Sequence, residues 1–192
     1  MALVNEVGNE LVSRHQFRRL TYECTISTSS TAVYSLPSDL YEIVNNTFWS
    51  RTENEEASGP TNEQGWQLQK GIESVNTLVP EWRLEYTQGI PVLVFLEAPG
   101  EQTYVLEYRS KNWVVDTSSS VTAALWTAET QRTALDEHLF YSELKWRWLK
   151  AKGSDYTIDF QNAQIHRDVE IARDKGGSRI LSLSGGRVTQ GF

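Results

Sequence analysis

The sequence has one cysteine, a low content of basic residues relative to acidic ones, and no long apolar run, and each of these excludes some classes of function. Cys24 is the single cysteine among 192 residues, which excludes an internal disulfide framework and favours a reducing compartment. No apolar run approaches the roughly 18 residues of a membrane-spanning helix. The first residues also lack the basic, apolar and small-residue order of a signal peptide. We therefore expect no membrane partner, and either one substantial domain or two small ones.

Charge is unevenly distributed along this acidic chain, whose formal net charge is -7. Residues 139–192 hold nine Lys and Arg against six Asp and Glu, a net of +3, whereas the first 138 residues hold nine against nineteen, a net of -10. A nucleic-acid-binding domain is usually basic throughout, so tight duplex binding is not expected as the main task. The seven tryptophans and eight tyrosines instead favour surfaces that are partly dry and partly wet, as at protein interfaces.

The hydrophobic pattern predicts a helix, a β-rich middle, two further helices and a tail. Residues 2–14 carry apolar side chains at helical spacing. Residues 20–36 alternate like a hairpin, and three β-rich runs between about residues 81 and 115 predict an antiparallel sheet. Between these segments, Thr61 or Asn62 is the expected cap of a short helix.

The C-terminal third predicts a helical hairpin whose two helices are joined at Gly153. Thr133 is the expected N-cap of the first helix, and Ser154 or Asp155 begins the second. The second helix carries one apolar stripe, formed by Ile158, Ile165, Val169 and Ala172.

These elements predict an α+β fold in three parts. Residues 1–19 and 130–176, the N-terminal helix and the C-terminal helical hairpin, form a helical bundle. Residues 20–129 form an inserted antiparallel β domain. Residues 177–192 form an extended C-terminal arm with too few apolar groups to fold alone.

The run LKWRWLKAKG, residues 144–153, interleaves two tryptophans with four cations. Such a run could contact nucleic acid, or it could be a helix packed on two sides. On a helix, Trp146 and Trp148 lie about 200° apart, so they cannot stack on one strand from a single face. Packing is therefore favoured, with the basic side chains reaching past the rings to water. Two apolar stripes are expected, one of Leu135, Leu139, Trp146 and Leu149 and the other of Phe140, Leu144 and Trp148.

The sequence lacks the common catalytic, phosphate-binding and metal-binding motifs. His138 and His166 have acidic neighbours but not the HExxH spacing, and no glycine-rich run is followed by the GK[ST] of a phosphate loop. The acidic loop at 53–56 lacks calcium-loop spacing. We therefore predict no catalytic residue, no metal site and no cofactor.

Several blocks of the sequence resemble the head–tail adaptor (connector) family of short-tailed bacteriophages. The blocks occur in the family's order across roughly residues 3–184: YSLPSDLYEIVNNTFWSRT, QGWQLQKG, EYRSKNWV, LDEHLFYSELKWRWLKAKGSDY and RDVEIARDKGG. The first and fourth contain the most specific parts. The resemblance implies a non-enzymatic virion protein with a helical bundle and an inserted β domain, which agrees with the pattern above.

The resemblance also implies an assembly and its partners. The chain would form a ring, of twelve copies, in the virion neck between capsid and tail, and would assemble in the host cytoplasm. Portal protein would lie above the ring and a tail nozzle or tail tube protein below it. Genomic DNA would pass through the lumen without specific binding, and an acidic lumen would let the duplex slide.

Two groups of residues become candidate interaction sites. In relatives the C-terminal arm reaches the portal, so we expect residues 177–192 to be mobile in the free subunit and to order against the portal or a neighbouring subunit. The candidate interface residues of this arm are Arg179, Ile180, Leu181, Leu183, Val188 and Phe192. Candidate residues for helix packing and assembly are Leu139, Trp146, Trp148 and Leu149.

Two functions from other classes stay open. One is a receptor- or glycan-binding virion module built on the tryptophan-rich sheet. The other is a small hydrolase that uses His138 or His166 with the neighbouring acids.

Overall fold

The predicted α+β class is confirmed by a computed structural model, which describes residues 1–71, 80–116 and 122–174. Over these residues the chain forms four α-helices, and its strands pair antiparallel within sheets. None of the helices described is long and apolar enough to cross a membrane. The arm residues 177–192 lie outside the described ranges.

Four α-helices and eleven strands are found in the described residues. In chain order they are α1 (Ala2–Arg14), β1 (Thr21–Ser27), β2 (Val33–Ser35), β3 (Leu40–Ile43), β4 (Trp49–Ser50), β5 (Glu55–Glu56), α2 (Glu63–Gly71), β6 (Trp82–Thr87), β7 (Ile90–Phe95), β8 (Thr103–Ser110), β9 (Val114–Asp116), β10 (Thr122–Ala123), β11 (Gln131–Thr133), α3 (Glu137–Ala151) and α4 (Thr157–Asp174).

The chain divides into two compact units. The helical unit contains residues 1–20 and the chain from Asn112 onward, and the β unit contains Thr21–Lys111. Residues 112–116 and 122–129, which the sequence pattern assigns to the β domain, therefore belong with the helices. The physical reason is burial, because Trp113 and Val114 are completely buried in the same apolar cluster as residues of α1 and α3.

Helix α1 matches the predicted range of residues 2–14. Its stripe buries Val7, Leu11 and Val12. Gly8 lies so close to Trp113 that a Cβ at this position would overlap the indole ring, and the indole Nε1 donates a hydrogen bond of 2.9 Å to Asn9 Oδ1. The remaining buried members of this cluster come from the turn after α1, from the start of β9 and from the segment that leads into and begins α3: Phe17, Leu20, Val114, Leu135, Leu139 and Phe140.

The start of α3 differs from the sequence expectation. Asp136 is the N-cap, and its carboxylate accepts the backbone N–H groups of His138 and Leu139, each at 3.0 Å. The predicted cap, Thr133, is wrong, because it ends β11 and its hydroxyl accepts the N–H of Leu135. Cap propensity alone cannot choose between Thr133 and Asp136, which lie three residues apart, since both residue types serve as N-caps.

The end of α3 follows the prediction. Gly153 takes a φ of +72°, donates to the carbonyl of Lys150 at 3.1 Å, and is followed by a bond of 3.0 Å from Ser154 to Leu149. This pair of bonds is a Schellman ending, which favours glycine at the left-handed position. Asp155 then accepts the N–H of Thr157 at 3.0 Å and begins α4.

Two antiparallel sheets form the β unit. β8 pairs with β1 on one edge and with β3 and β4 on the other, whereas β7 pairs with β2 and β6. The predicted hairpin over residues 20–36 is therefore wrong, because β1 and β2 belong to different sheets. The expected cap Asn62 does begin α2, where its Oδ1 accepts the N–H of Gly65 at 2.7 Å. The core of this unit is rich in rings: Phe48, Trp82, Phe95, Tyr104 and Tyr108, with Ile26, Leu36, Leu40, Leu93 and Leu106.

We predict that Gly8→Ala destabilises the protein. Glycine to alanine in a helix interior normally adds up to about 1 kcal/mol of stability, but overlap with Trp113 should reverse the sign and cost about 1–3 kcal/mol. Urea unfolding monitored by tryptophan fluorescence measures this change. Gly71→Ala, at the end of α2, is the control, since no atom of the described residues lies within 4 Å of a Cβ there. Equal responses of the two variants would contradict the close approach.

Candidate functional site in helices α1, α3 and α4

The centre of the helical unit is a buried carboxylate, Glu143 on α3, whose side chain has no exposed surface. Its Oε1 accepts from Arg167 of α4, with the Nε at 2.9 Å and a second bond from Nη2. Its Oε2 accepts from Trp146 Nε1 at 2.8 Å and from Arg147 Nη1 at 2.5 Å. Both oxygens are thus satisfied by charged or polar donors from two helices, which is the condition for burying a carboxylate without a large penalty.

The network extends to the N-terminal helix. Arg147 uses its second terminal nitrogen to bind Glu10 Oε2 at 2.6 Å, and Glu10 Oε1 in turn binds Arg14 at 2.9 Å. A single chain of charge pairs therefore crosses α1, α3 and α4. Beside it lies a cavity of about 690 Å³ that these three helices line.

Partner charges determine the protonation of Glu143. Burial by itself would raise the pKa of this carboxyl. Hydrogen bonds from Trp146 and Arg167, with the charges of Arg167 and Arg147, outweigh burial and hold the pKa below its ordinary value. Glu143 is therefore ionised at neutral pH, as its arginine partners require.

The four cations of the run 144–153 all have partners within the helical unit. Lys145 binds Asp159 of α4 at 2.8 Å, and Arg147 belongs to the Glu143 network. Lys150 lies 5.9 Å from the centroids of Trp146 and Tyr156, and Lys152 lies 5.9 Å from the Trp148 ring. This arrangement is the one expected of a packed helix, with the basic side chains laid along the rings.

The four candidate packing residues differ in how far their side chains are buried. Leu139 is fully buried, Leu149 is half-buried, and Trp146 is half-buried with its ring edge-on to Phe160 at 5.0 Å between centroids. Trp148 is 52% exposed. Of the two predicted stripes, the first therefore packs within the unit, whereas the second is buried at Phe140 and turns to solvent at Trp148.

Helix α4 turns its most apolar side outward. The predicted stripe exists on the helix, but Ile158 is 70% exposed, Ile165 61% and Val169 42%. Its inward side instead buries Ala163 completely and presents Arg167 to Glu143. We call Ile158, Ile165 and Val169 the α4 face.

A second outward apolar surface lies on α3. Tyr141 is 62% exposed, and Trp148 follows it seven residues later, so both project from one side of the helix. We call this pair the α3 face. Soluble proteins usually keep rings and branched aliphatic side chains of neighbouring turns in contact with protein, and clustered exceptions mark interaction sites.

The two histidines are brought together, with His138 and His166 at 4.5 Å between ring centroids, edge to face. Asp136, one of the two acids that precede His138, caps α3 and is not placed as a catalytic partner. Within residues 1–71, 80–116 and 122–174, no group of three His, Cys, Asp or Glu side chains could hold a metal ion.

Sequence reasoning missed Glu143, Arg167 and Glu10 as a set. Each looks like an ordinary solvated charge in its own helix, and the residues are separated by 24 and 133 positions in the chain. One signal was present: Glu143 and Arg147 are four apart, and Glu143 lies inside the apolar stripe rather than on the polar side. The six arm candidates, Arg179 to Phe192, lie outside the described residues.

Comparison with known proteins adds no assignment. No protein-family model matches this chain, and no curated protein matches it either. The candidate function therefore depends on the sequence blocks and on the geometry of the helices.

We predict that Glu143→Gln lowers the free energy of unfolding at pH 7 by about 3–5 kcal/mol, because removing one partner of a buried ion pair leaves the others uncompensated. The pKa of Glu143 is depressed in the folded state. Its stabilising contribution is therefore complete above the unfolded-state pKa of about 4.3 and is lost as pH falls through the lower folded value. Chemical denaturation at several pH values measures both effects.

The difference between wild type and Glu143→Gln should thus be largest at pH 7 and should shrink below about pH 4. Glu137→Gln, at an exposed position of the same helix, is the control and should change little at any pH. A difference that stayed constant down to pH 2 would contradict an ionised Glu143.

We further predict opposite behaviour for the two tryptophans of α3. Trp146→Ala should lower the free energy of unfolding by about 3 kcal/mol, since it removes packing against Phe160 and a donor to Glu143. Trp148→Ala should change it by less than about 1 kcal/mol. Equilibrium denaturation of the isolated subunit measures both, and similar losses for the two variants would refute the inside–outside assignment.

Proposed function

We propose that this chain is a structural head-to-tail adaptor of a phage virion. It forms a ring that joins the portal to the tail nozzle or tail tube and lets DNA pass through. In this proposal it is not an enzyme and needs no cofactor. Its place is the neck between capsid and tail, and the ring has twelve copies.

The observation that carries the proposal is the outward apolar surface of the helical unit. Five large side chains on the α3 and α4 faces are 42–70% exposed, although the same helices bury a charge network on their inner sides. A protein that acts alone gains nothing from that arrangement, whereas a subunit that must be covered by others does. This favours an assembly protein over a catalyst.

The layout of the units supports the finer architecture. We propose a helical bundle made of α1, α3 and α4, with the β unit inserted between α1 and α3 and an extended arm after α4. The grouping of residues 1–20 with the chain from Asn112 supports an insertion, since the chain leaves the helical unit once and returns once. The resemblance to head–tail adaptors leads to the same layout.

Electrostatics support a passage for DNA rather than a binding site. The chain has a net charge of -7, and the cations of its most basic helix are engaged by Asp159, Glu10, Glu143 and aromatic rings. A surface that offers few uncommitted cations binds phosphate weakly. A ring of such subunits lets the duplex slide.

A receptor- or glycan-binding module is the second candidate. A cavity of about 250 Å³ in the β unit is lined in part by Tyr41, Asn45, Asn46 and Trp82, and aromatic rings beside amides are the usual means of holding a sugar. Binding of the isolated protein to a glycan array, without attachment to a portal, would favour this function over the adaptor.

The adaptor function is tested with a portal ring purified from the same phage. We expect the chain to attach to the portal, measured by size-exclusion chromatography, and to give a ring in electron micrographs. Antibody labelling should mark the neck of the intact virion. Label on the tail fibres or capsid surface instead would refute the proposal.

We predict that deleting residues 177–192 leaves thermal unfolding of the subunit nearly unchanged and weakens or abolishes attachment to the portal. The composition of the segment offers too few apolar groups for a core of its own, and its contacts must exceed an ordering cost of about 1–2 kcal/mol per residue. Differential scanning fluorimetry and portal co-elution measure the two effects. A truncated chain that unfolds much earlier yet joins the portal normally would assign the segment to the subunit's own core.

A further inference from the structure

The α3 and α4 faces share a spacing that is suited to helix–helix packing. Tyr141 and Trp148 are seven residues apart, as are Ile158 and Ile165. At 1.5 Å per residue each pair spans about 10.5 Å of its helix. Residues repeated at this interval form the seam by which two helices pack side by side.

The two faces are separate surfaces of one unit. Ile165 lies about 200° around α4 from Ala163, which is fully buried, so the α4 face looks away from α3. Trp148 lies about 140° around α3 from the buried Glu143, so the α3 face looks to solvent as well. Neither face covers the other within one copy, since all five side chains are exposed.

Charge at the borders of the faces is complementary. Two cations and one carboxylate border the α3 face: Lys145, Lys152 and Glu137. Two carboxylates and one cation border the α4 face: Asp155, Asp168 and Arg173. Lys145 is bonded to Asp159 and Arg173 to Glu170, which leaves the α4 border acidic and Lys152 as the cation of the α3 border that has no ion pair among the described residues.

We propose that the α3 face of one copy packs against the α4 face of the next copy. Two different, complementary faces on one subunit generate a head-to-tail contact, which closes into a ring, whereas a two-fold dimer would need one self-complementary face. The broad rings of Tyr141 and Trp148 meet branched aliphatic side chains, and Lys152 meets the acidic border of the α4 face. This inference rests on the proposed ring adaptor and names the contact that forms the ring.

Five side chains make a small contact. A stable protein interface buries at least about 1,000 Å², so one such contact is weak and a pair of free subunits dissociates readily. In a ring every subunit uses both faces, and neighbours held on a common support are at high effective concentration. The contact therefore forms on assembly rather than in dilute solution.

Single-cysteine variants test the pairing directly. With Cys24 replaced by serine, Trp148→Cys and Ile165→Cys are prepared as separate proteins, mixed at high concentration and treated with a short bismaleimide. We expect cross-linked dimers in the mixture and only background in either variant alone. Because each chain carries one cysteine, no link within a chain can contribute. Trp148→Cys mixed with Leu68→Cys, an exposed position in the β unit, is the matched control and should stay at background.

A charge substitution gives the second readout. Ile165→Glu should weaken self-association by about tenfold or more, as measured by sedimentation equilibrium, and leave the thermal unfolding of the subunit unchanged. Leu68→Glu should affect neither. Equal dimer yields with Trp148→Cys alone and in the mixture would indicate a two-fold contact and overturn the proposal, as would the absence of any cross-link at high concentration.

The outcomes also separate this contact from the adaptor function. Rings seen on the portal with no cross-link between positions 148 and 165 would overturn the contact and leave the adaptor standing. Cross-linking in a protein that never attaches to a portal would support the contact and refute the adaptor. If the portal blocks the bismaleimide reaction at positions 148 and 165 and no cross-link forms between copies, both faces contact the portal and the proposal is overturned.

Discussion

The buried carboxylate of Glu143 is the constraint on which the helical unit depends. A carboxylate without exposed surface must be matched by cations and donors at hydrogen-bond distance, because its desolvation is otherwise too costly. Arg147 and Trp146 come from the same helix, but Arg167 must be delivered by α4. The rotation of α4 about its axis is thereby determined: the side that carries Arg167 faces inward. Its apolar stripe, which lies on the other side of the helix, then has to face outward.

The pairing of Arg167 with Glu143 explains why α4 departs from the usual amphipathic arrangement. A helix normally buries its apolar stripe and exposes its charges. In α4 a charged residue is committed to the interior and Ile158, Ile165 and Val169 are left outside. Buried ionic groups add little stability compared with well-packed apolar ones, but they penalise every arrangement in which a partner is missing. The network thus selects one packing of three helices, and that packing leaves the apolar residues of α4 on its exposed side.

Local structure was largely predictable from the sequence, and long-range pairing was not. The bounds of α1, the cap Asn62 and the ending at Gly153 follow from residues within one or two turns, where propensity and capping chemistry act. The pairing of β1 with β8, across about 80 residues, leaves no local trace, so the local pattern predicts a hairpin instead. The stripe of α4 was identified correctly as a stripe, but amphipathicity alone says only that one side differs. Which side is buried was decided by Arg167 and Glu143, and their pairing is visible only in three dimensions.

If the chain is the ring subunit proposed above, the division between a charged interior and an apolar exterior also keeps free copies apart before assembly. If the α3 and α4 faces were larger, free copies would associate at once and out of place, since apolar burial contributes about 25 cal/mol per Å². With two or three residues on each face, a single contact is too weak to persist, whereas the closed ring proposed above would satisfy both faces of every copy. The ion network supports this balance from within, because it holds α3 and α4 in a fixed geometry before any partner arrives. In the proposed ring, less conformational freedom would then be lost when the faces meet, and a small apolar surface would be enough to select the correct neighbour.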